Sequence, residues 1–296
     1  DYIEPIMENK YQTLKFNNNS VNAKAVQIGA SINNYDIIKE LGEENIRKTI
    51  KSEYQNFIDK DECGIRTNPD TNKDDLDVDK FTDKFISELK ENYKRVDYST
   101  DFMLYTDDKV KAFAKDLKTY NGTTLQYVGI MPKTDDLASY VKKLDSSDIS
   151  GIIKNLKEIK AENFTEGKVT RITGYIPLFK FDYQLKLKED LEKLGVVDVF
   201  DEKKADLSNM VTGTSNYIDS VDHKANIEFS NEGIKAAAVT VGGGFGASNC
   251  SFEHLYDVPV EEINITFDKP YLFLIRDKDT GEVWFVGTVY EPITNE

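Results

Sequence analysis

The stretch HKANIEFSNEGIKAAAVTVGGGFG, residues 223–246, decides how the rest of the chain is read. It opens with a period of two. Ala225, Ile227 and Phe229 alternate with Asn226, Glu228 and Ser230, the pattern of a strand with one buried face. Asn231-Glu232-Gly233 then reads as a turn. Beyond it the side chains shrink to Ala236-Ala237-Ala238 and nearly vanish at Gly242-Gly243-Gly244. A permanent strand would carry larger β-branched residues on its buried face. Small residues suit a segment with two states. As a loop they show water little apolar surface, and glycine leaves the backbone free. As a strand, Ile234, Ala236, Ala238 and Thr240 share one face. Lys235, Ala237, Val239 and Val241 share the other, so the charge points outward when the even set meets a core. The competing reading is a short alanine-rich helix stopped by the glycines, because alanine is the best helix former.

On either side of this stretch the pattern mixes helices and strands. Weak strand signals lie at Tyr11–Phe16 and Ala25–Ile28. Residues 35–58 read as helix, with Ile46, Ile50, Tyr54 and Phe57 three or four apart. Residues 59–78 read as a charged loop, and Asp79–Lys94 as a second helix with Phe81, Phe85 and Leu89 on one face. Strands are expected at Asp101–Tyr105, Ala112–Leu117, Leu125–Met131 and Lys168–Leu178, with a turn at Asn121-Gly122. Two short amphipathic helices fall between the last two strands, one with Leu137, Tyr140, Val141 and Leu144, the other with Ile149, Ile152, Ile153 and Leu156. The stretch FDYQLKLKEDLEKLGVVDVF, residues 181–200, reads as helix through Leu187, Leu191 and Leu194, with Gly195 at a left-handed C-terminus. Near the end, Tyr271–Ile275 is uniformly apolar and reads as a strand buried on both faces. Asp279-Thr280-Gly281 turns it back into Val283–Val289. Without a regular βαβ alternation, the expectation is α+β rather than a doubly wound sheet.

Composition bounds the function. The 296 residues are 39% hydrophobic and 11% aromatic, enough for a sizeable core, and the formal charge is −15. That charge argues against nucleic acid or an anionic membrane as partner. No apolar run reaches the length of a membrane span. Cys63 and Cys250 read as two unrelated thiols rather than a disulfide framework. No signal peptide is read in the sequence at Asp1, and a mature secreted chain would show none.

Motifs for catalysis or cofactor binding are weak. The glycine run lacks the Lys-Ser/Thr of a phosphate-binding loop, and no Gly-x-Ser-x-Gly elbow accompanies it. Cys250 and His254 lie four apart, but two ligands do not make a zinc site. DTNKDD, residues 70–75, begins like a calcium loop. Asp75 replaces the required glycine, however, and Phe81 stands where the bidentate Glu belongs, so a solvated loop with a helix cap is the better reading. The sequons at Asn18, Asn121, Asn163, Asn249 and Asn264 arise readily in an Asn-rich chain. No metal and no cofactor is expected, and no enzyme activity.

Four segments together resemble one family. HKANIEFSNEGIKAAAVT (223–240) resembles the hinge of the serpins, in which a His-Lys-Ala strand runs through Glu-Gly into an alanine-rich loop. FDKPYLFLIRDKDTGEVWFVGTVYEP (267–292) is similar to the last serpin hairpin. LEKLGVVDVFDEKKADLSNM (191–210) and TTLQYVGIMPK (123–133) resemble two further serpin segments, in the right order over about residues 101–296. The resemblance implies an α+β, multi-sheet serpin-like fold with surrounding helices and an exposed reactive-centre loop. It implies one domain over 1–296, with a divergent, helix-rich front at 1–95 and a recognisable serpin part at 96–296.

For function, the resemblance implies a monomeric, extracellular or cell-surface suicide inhibitor of a serine or cysteine protease. Serpin loop insertion is an established example of strand addition and of strain released on cleavage. Carried over, Glu232-Gly233 starts the hinge and Ile234 enters the sheet first. Lys235, Ala236, Ala237, Ala238, Val239 and Thr240 follow, and His223 matches the histidine under the sheet opening. Counting from Gly233 puts the scissile bond near Ala247–Ser248, suited to an elastase- or subtilisin-like pocket. Three features depart from the family. Residues 1–95 match no serpin motif, Ile234 is bulkier than the usual first inserting residue, and Ser248 to Phe267 is longer than usual. The last could move the bond toward Asn249–Phe252. The alternative is a non-inhibitory serpin-like binding or structural protein whose loop does not insert.

Overall fold

The computed structural model describes residues 12–18, 21–61, 64–67, 71–134, 136–212, 216–229 and 252–292. Its strands form three sheets. The first contains β1 (Gln12–Phe16), β2 (Val21–Asn33), β8 (Val169–Pro177) and β11 (Val260–Asn264) in that order, with β3 (Arg95–Tyr98) paired to the far end of β2. The second has six strands. In spatial order they are β13 (Val283–Val289), β12 (Tyr271–Asp277), β6 (Leu125–Pro132), β5 (Val110–Asp116), β4 (Met103–Thr106) and β7 (Lys157–Glu158). The third is the antiparallel pair β9 (Phe179–Lys186) and β10 (Asp222–Phe229). The helices are α1 (Ile37–Leu41), α2 (Glu43–Lys60), α3 (Val78–Asn92), α4 (Leu137–Lys143), α5 (Ser146–Lys154) and α6 (Lys188–Lys193). The mixture is the α+β arrangement expected from the sequence.

The uniformly apolar run at the C-terminus explains where the core sits. In β12, Tyr271 and Phe273 point into the cluster shared with Ile28, Ile172, Ile176 and Phe179 of the other two sheets. Leu272 and Leu274 point the opposite way, into a second cluster closed by Leu137 of α4 and Ile152 of α5. A strand covered on both faces has no polar face to alternate with. β12 turns into β13 through Asp277–Gly281, and at Asn121 (φ 50°) and Gly122 (φ 83°) the chain takes the left-handed pair that a tight hairpin turn requires.

Asp277 organises the turn after β12. Its Oδ1 accepts from the amides of Asp279 and Thr280, both at 2.8 Å. The Thr280 amide, ahead of the other partners, holds the Asp277 carboxyl below its ordinary value. Such a carboxylate contributes stability that is complete above about pH 4 and is lost as pH falls through its lowered folded-state value. Asp277→Asn keeps an acceptor but removes the charge. We expect it to lower the urea midpoint at neutral pH and to narrow the difference from wild type as the medium is acidified below about pH 3; equal losses at both pH values would contradict this.

Four local expectations need correction. Residues 181–200 are not one helix. Phe179, Phe181, Tyr183 and Leu185 keep a period of two, and their segment pairs with β10 along its whole length. The α-helix is confined to Lys188–Lys193, ending near Gly195 at φ 95°, and a 3-10 turn follows at Asp198–Phe200. The helix of 79–94 stops at Asn92 and the chain immediately becomes β3, which pairs with the end of β2 through Asn33↔Arg95. Val260–Asn264, read as no element, is a strand parallel to β8. The helical stretch at 35–58 is likewise divided, by Gly42 at φ 81°.

Candidate functional site

The strand read from the opening stretch is present. In β10, Ala225, Ile227 and Phe229 are half-buried, while Asn226 and Glu228 are exposed. Its partner β9 meets it residue for residue: Phe229 opposite Phe179, Ile227 opposite Phe181, Ala225 opposite Tyr183. On the outer face Glu228 lies 2.9 Å from Lys180 and raises that ammonium's pKa above its ordinary value. Asn226 Nδ2 donates to Asp182 Oδ1 at 2.5 Å.

The end of β10 is rooted in the core. The Phe229 ring lies 4.8 Å from Tyr127 and stacks on Phe179 at 5.7 Å. Tyr127 and Phe179 in turn contact Phe273 of β12, at 5.7 and 5.6 Å. Phe229, the last described residue before 252, is therefore held by an aromatic network that reaches the centre of the molecule. The other edge of β10 pairs with no strand among the described residues. A row of backbone N–H and C=O groups on such an edge is a template for another strand.

His223 stands near the start of β10, opposite Leu185 and exposed. It is thus at the far end of the strand from Phe229. The hinge and inserting residues Glu232, Gly233, Ile234, Lys235, Ala236, Ala237, Ala238, Val239 and Thr240, and the bond residues Ala247 and Ser248, lie outside the described residues, as do Cys63 and Cys250. The Cys250–His254 pairing weighed from the sequence has a different counterpart. His254 Nδ1 lies 2.6 Å from Glu53 Oε2 of α2, 201 residues away. Among the described residues no cluster of three or more His, Cys, Asp or Glu is placed to hold a metal ion. In the acidic loop at 72–77, Asn72 and Asp77 cap the turns that follow them.

Sequence reasoning missed the chain that resumes at Phe252. Phe252, His254 and Tyr256 are half-buried, whereas Glu253, Leu255 and Asp257 are exposed. The period of two was legible, but its partners are helices far away in sequence.

The sequence profile of the family described as Serpin (serine protease inhibitor) matches residues 79–292, beginning within α3 and so earlier than the motifs themselves. The leukocyte elastase inhibitor of Homo sapiens is 32% identical over 226 residues, covering 72% of this chain and 55% of that protein. Serpin B3 of Homo sapiens is 30% identical over 225 residues, covering 75% of this chain and 51% of its own. Among solved structures, the thermophilic serpin tengpin in its native state is 28% identical, over 65% of this chain and 45% of that one, with a TM-score of 0.45. The chain spans about half the length of the curated relatives it matches. These relatives correct one expectation. Leukocyte elastase inhibitor and Serpin B3 are clade B serpins of the cell interior, so the resemblance does not carry an extracellular or secreted location.

Proposed function

Because this chain belongs to the serpin family, a family of protease inhibitors rather than of enzymes, we propose that it is a suicide inhibitor of a serine or cysteine protease and that residues 230–251 are its bait. The observation that carries this reading is β10. Its inner face is fixed in the core through Phe229, its outer edge is unpaired among the described residues, and in sequence the proposed bait follows it directly.

The chemistry follows from what a serine protease does to any exposed bond. The protease Oγ attacks the carbonyl carbon, an ester forms, the peptide bond breaks, and a proton passes to the departing amine. In this reading the bond is Ala247–Ser248, and Glu232-Gly233 is the pivot. Ile234 to Thr240 then add along the open edge of β10, their small side chains facing inward at alternate positions. The bound protease is carried along with them before water can hydrolyse the ester. The name of the human relative suggests elastase as a first target. We take 1–296 as one domain, since β1 and β2 from its front share a sheet with β8 and β11 from its back, and His223 as a support at the base of the opening strand.

Incubation with pancreatic elastase and with subtilisin tests the reading. A band that survives boiling in detergent, with the mass of the protease plus the amino-terminal fragment, is expected. Fragments alone, beside a fully active protease, would overturn it. A second reading has its own support: among the described residues the sheet holding β10 has two strands. An added strand there would be covered by a neighbour on one side alone. A family member whose loop is cut without being inserted would show fragments and no complex.

A further inference from the structure

Between β2 and β3 the chain makes an excursion. It leaves the first sheet after Asn33 and returns to the same place, where Lys94 N donates to Asn33 O at 2.8 Å and Arg95 pairs with Asn33. The excursion contains α1, α2 and α3. Ile46 and Ile50 of α2 and Ile86 of α3 form a small core of their own, lined by Phe81, Phe85 and Leu89. The helices do not close that core alone. Phe252 and Tyr256, from the chain just after residue 251, pack against it.

Phe252 is held in a box of four rings. Its centroid lies 5.2 Å from Tyr54, 5.7 Å from Phe57, 5.5 Å from Phe81 and 6.4 Å from Phe85, with interplanar angles between 71° and 89°. All four are edge-on contacts, a preferred aromatic geometry. Two residues on, His254 bonds Glu53, and its ring lies 4.5 Å from Tyr256. Glu253 and Leu255 face away, Leu255 at 88% exposure. Residues 252–256 thus lie extended across α2 and α3, giving every second side chain to the helices.

We propose that the α2–α3 hairpin is a clamp on the C-terminal limb of the bait, with Phe252 as its anchor and Glu53, Tyr54, Phe57 and Phe81 as positioning residues. The proposal rests on the reading of 230–251 as bait. A protease needs several residues on each side of a bond free to enter its cleft. With Phe252 in the ring box, bonds at Asn249–Phe252 are withheld, although the long C-terminal limb would otherwise allow them. The clamp confines cleavage to the part of the bait nearer β10, and so it sets which side chain a target protease reads.

Limited digestion with chymotrypsin, mapped by mass spectrometry, tests this, because Phe252, Leu255 and Tyr256 are all chymotrypsin sites. Wild type is expected to resist cutting at the three positions. Phe57→Ala opens the box while leaving Phe252 in place, and should speed cutting after Phe252 by roughly tenfold or more, since cleavage follows the population of the opened segment. Phe252→Ala should do the same at Leu255 and Tyr256, and Phe252→Leu should restore most of the protection. The melting temperature and the fluorescence of Trp284, which is remote in sequence from the clamp, separate local release from unfolding. Wild-type cutting at Phe252 as fast as in the variants, or variants whose cut sites and rates match wild type, would overturn the clamp. The inhibitor reading fails differently: no detergent-stable complex forms with any protease, while the chymotrypsin map still reports on the clamp.

Discussion

Cutting the chain once between Thr240 and Phe252 with elastase or subtilisin is expected to raise its melting temperature by about 10 °C or more. For a domain of this size each kcal/mol moves the melting point by roughly 2–4 °C, so the rise corresponds to gaining a structural element rather than a stray contact. In the proposed mechanism the source is the edge of β10 that pairs with no strand among the described residues. The covalent chain joins the segment after Phe229 at both ends, and a cut would let it turn back and pair. Strand parity supplies the control. In the proposed inserted strand Ile234, Ala236, Ala238 and Thr240 would share a face, so Ala236→Glu would place a charge where burial is required, at a cost that an uncompensated buried charge always carries. Ala237→Glu would place the same charge one residue on, facing out. We expect the cut Ala236→Glu protein to lose the thermal gain and the cut Ala237→Glu protein to keep it. A cut wild type that melts where the intact protein melts would favour the non-inserting reading.

Phe273→Ala is expected to destabilise the protein by about 3–5 kcal/mol, the range for a large buried aromatic truncated in a core. Phe273 is fully buried. It stacks on Tyr127 at 5.7 Å and an interplanar angle of 10°, and meets Phe179 at 5.6 Å. Those same two rings hold Phe229, so the loss should not stay in the six-stranded sheet. Amide exchange in β10 is expected to rise more than in β5, which shares the sheet of Phe273 but lies two strands away. Phe273→Leu, which keeps most of the volume, should cost far less. Urea unfolding gives the stability, and exchange measured by mass spectrometry gives its distribution. A loss below about 1 kcal/mol, within the spread of ordinary substitutions, would mean that the aromatic network does not carry the core.

Much of this molecule was readable along the chain. The strand at 222–229, the turn at Asn121-Gly122, the apolar strand at 271–275 with its returning partner, and the helices at 43–60 and 137–154 all announce themselves through spacing or turn chemistry. These are local signals, and a few residues suffice to produce them. The misreadings were not local. Residues 181–186 were read as the start of the helix spaced by Leu187, Leu191 and Leu194, although they keep a period of two, and pairing with β10, some forty residues on, decides for strand. Val260–Asn264 is too polar to announce a strand and becomes one by lying beside β8. Family membership was legible because its motifs are short and ordered.

What the sequence by itself determined was therefore the element set of the core, the hinge-like small-residue run and the family. What only the tertiary structure decided was which edges meet. It left the outer edge of β10 without a strand among the described residues. It gave His254 a partner in Glu53, 201 residues away, and it placed Phe252 between two helices whose residues precede it by about 170–200 positions. Hydrophobic period tells a side chain which way to face, in strands and helices alike. It carries no record of the partner it will face, because that is settled by the packing of surfaces brought together only when the whole chain folds.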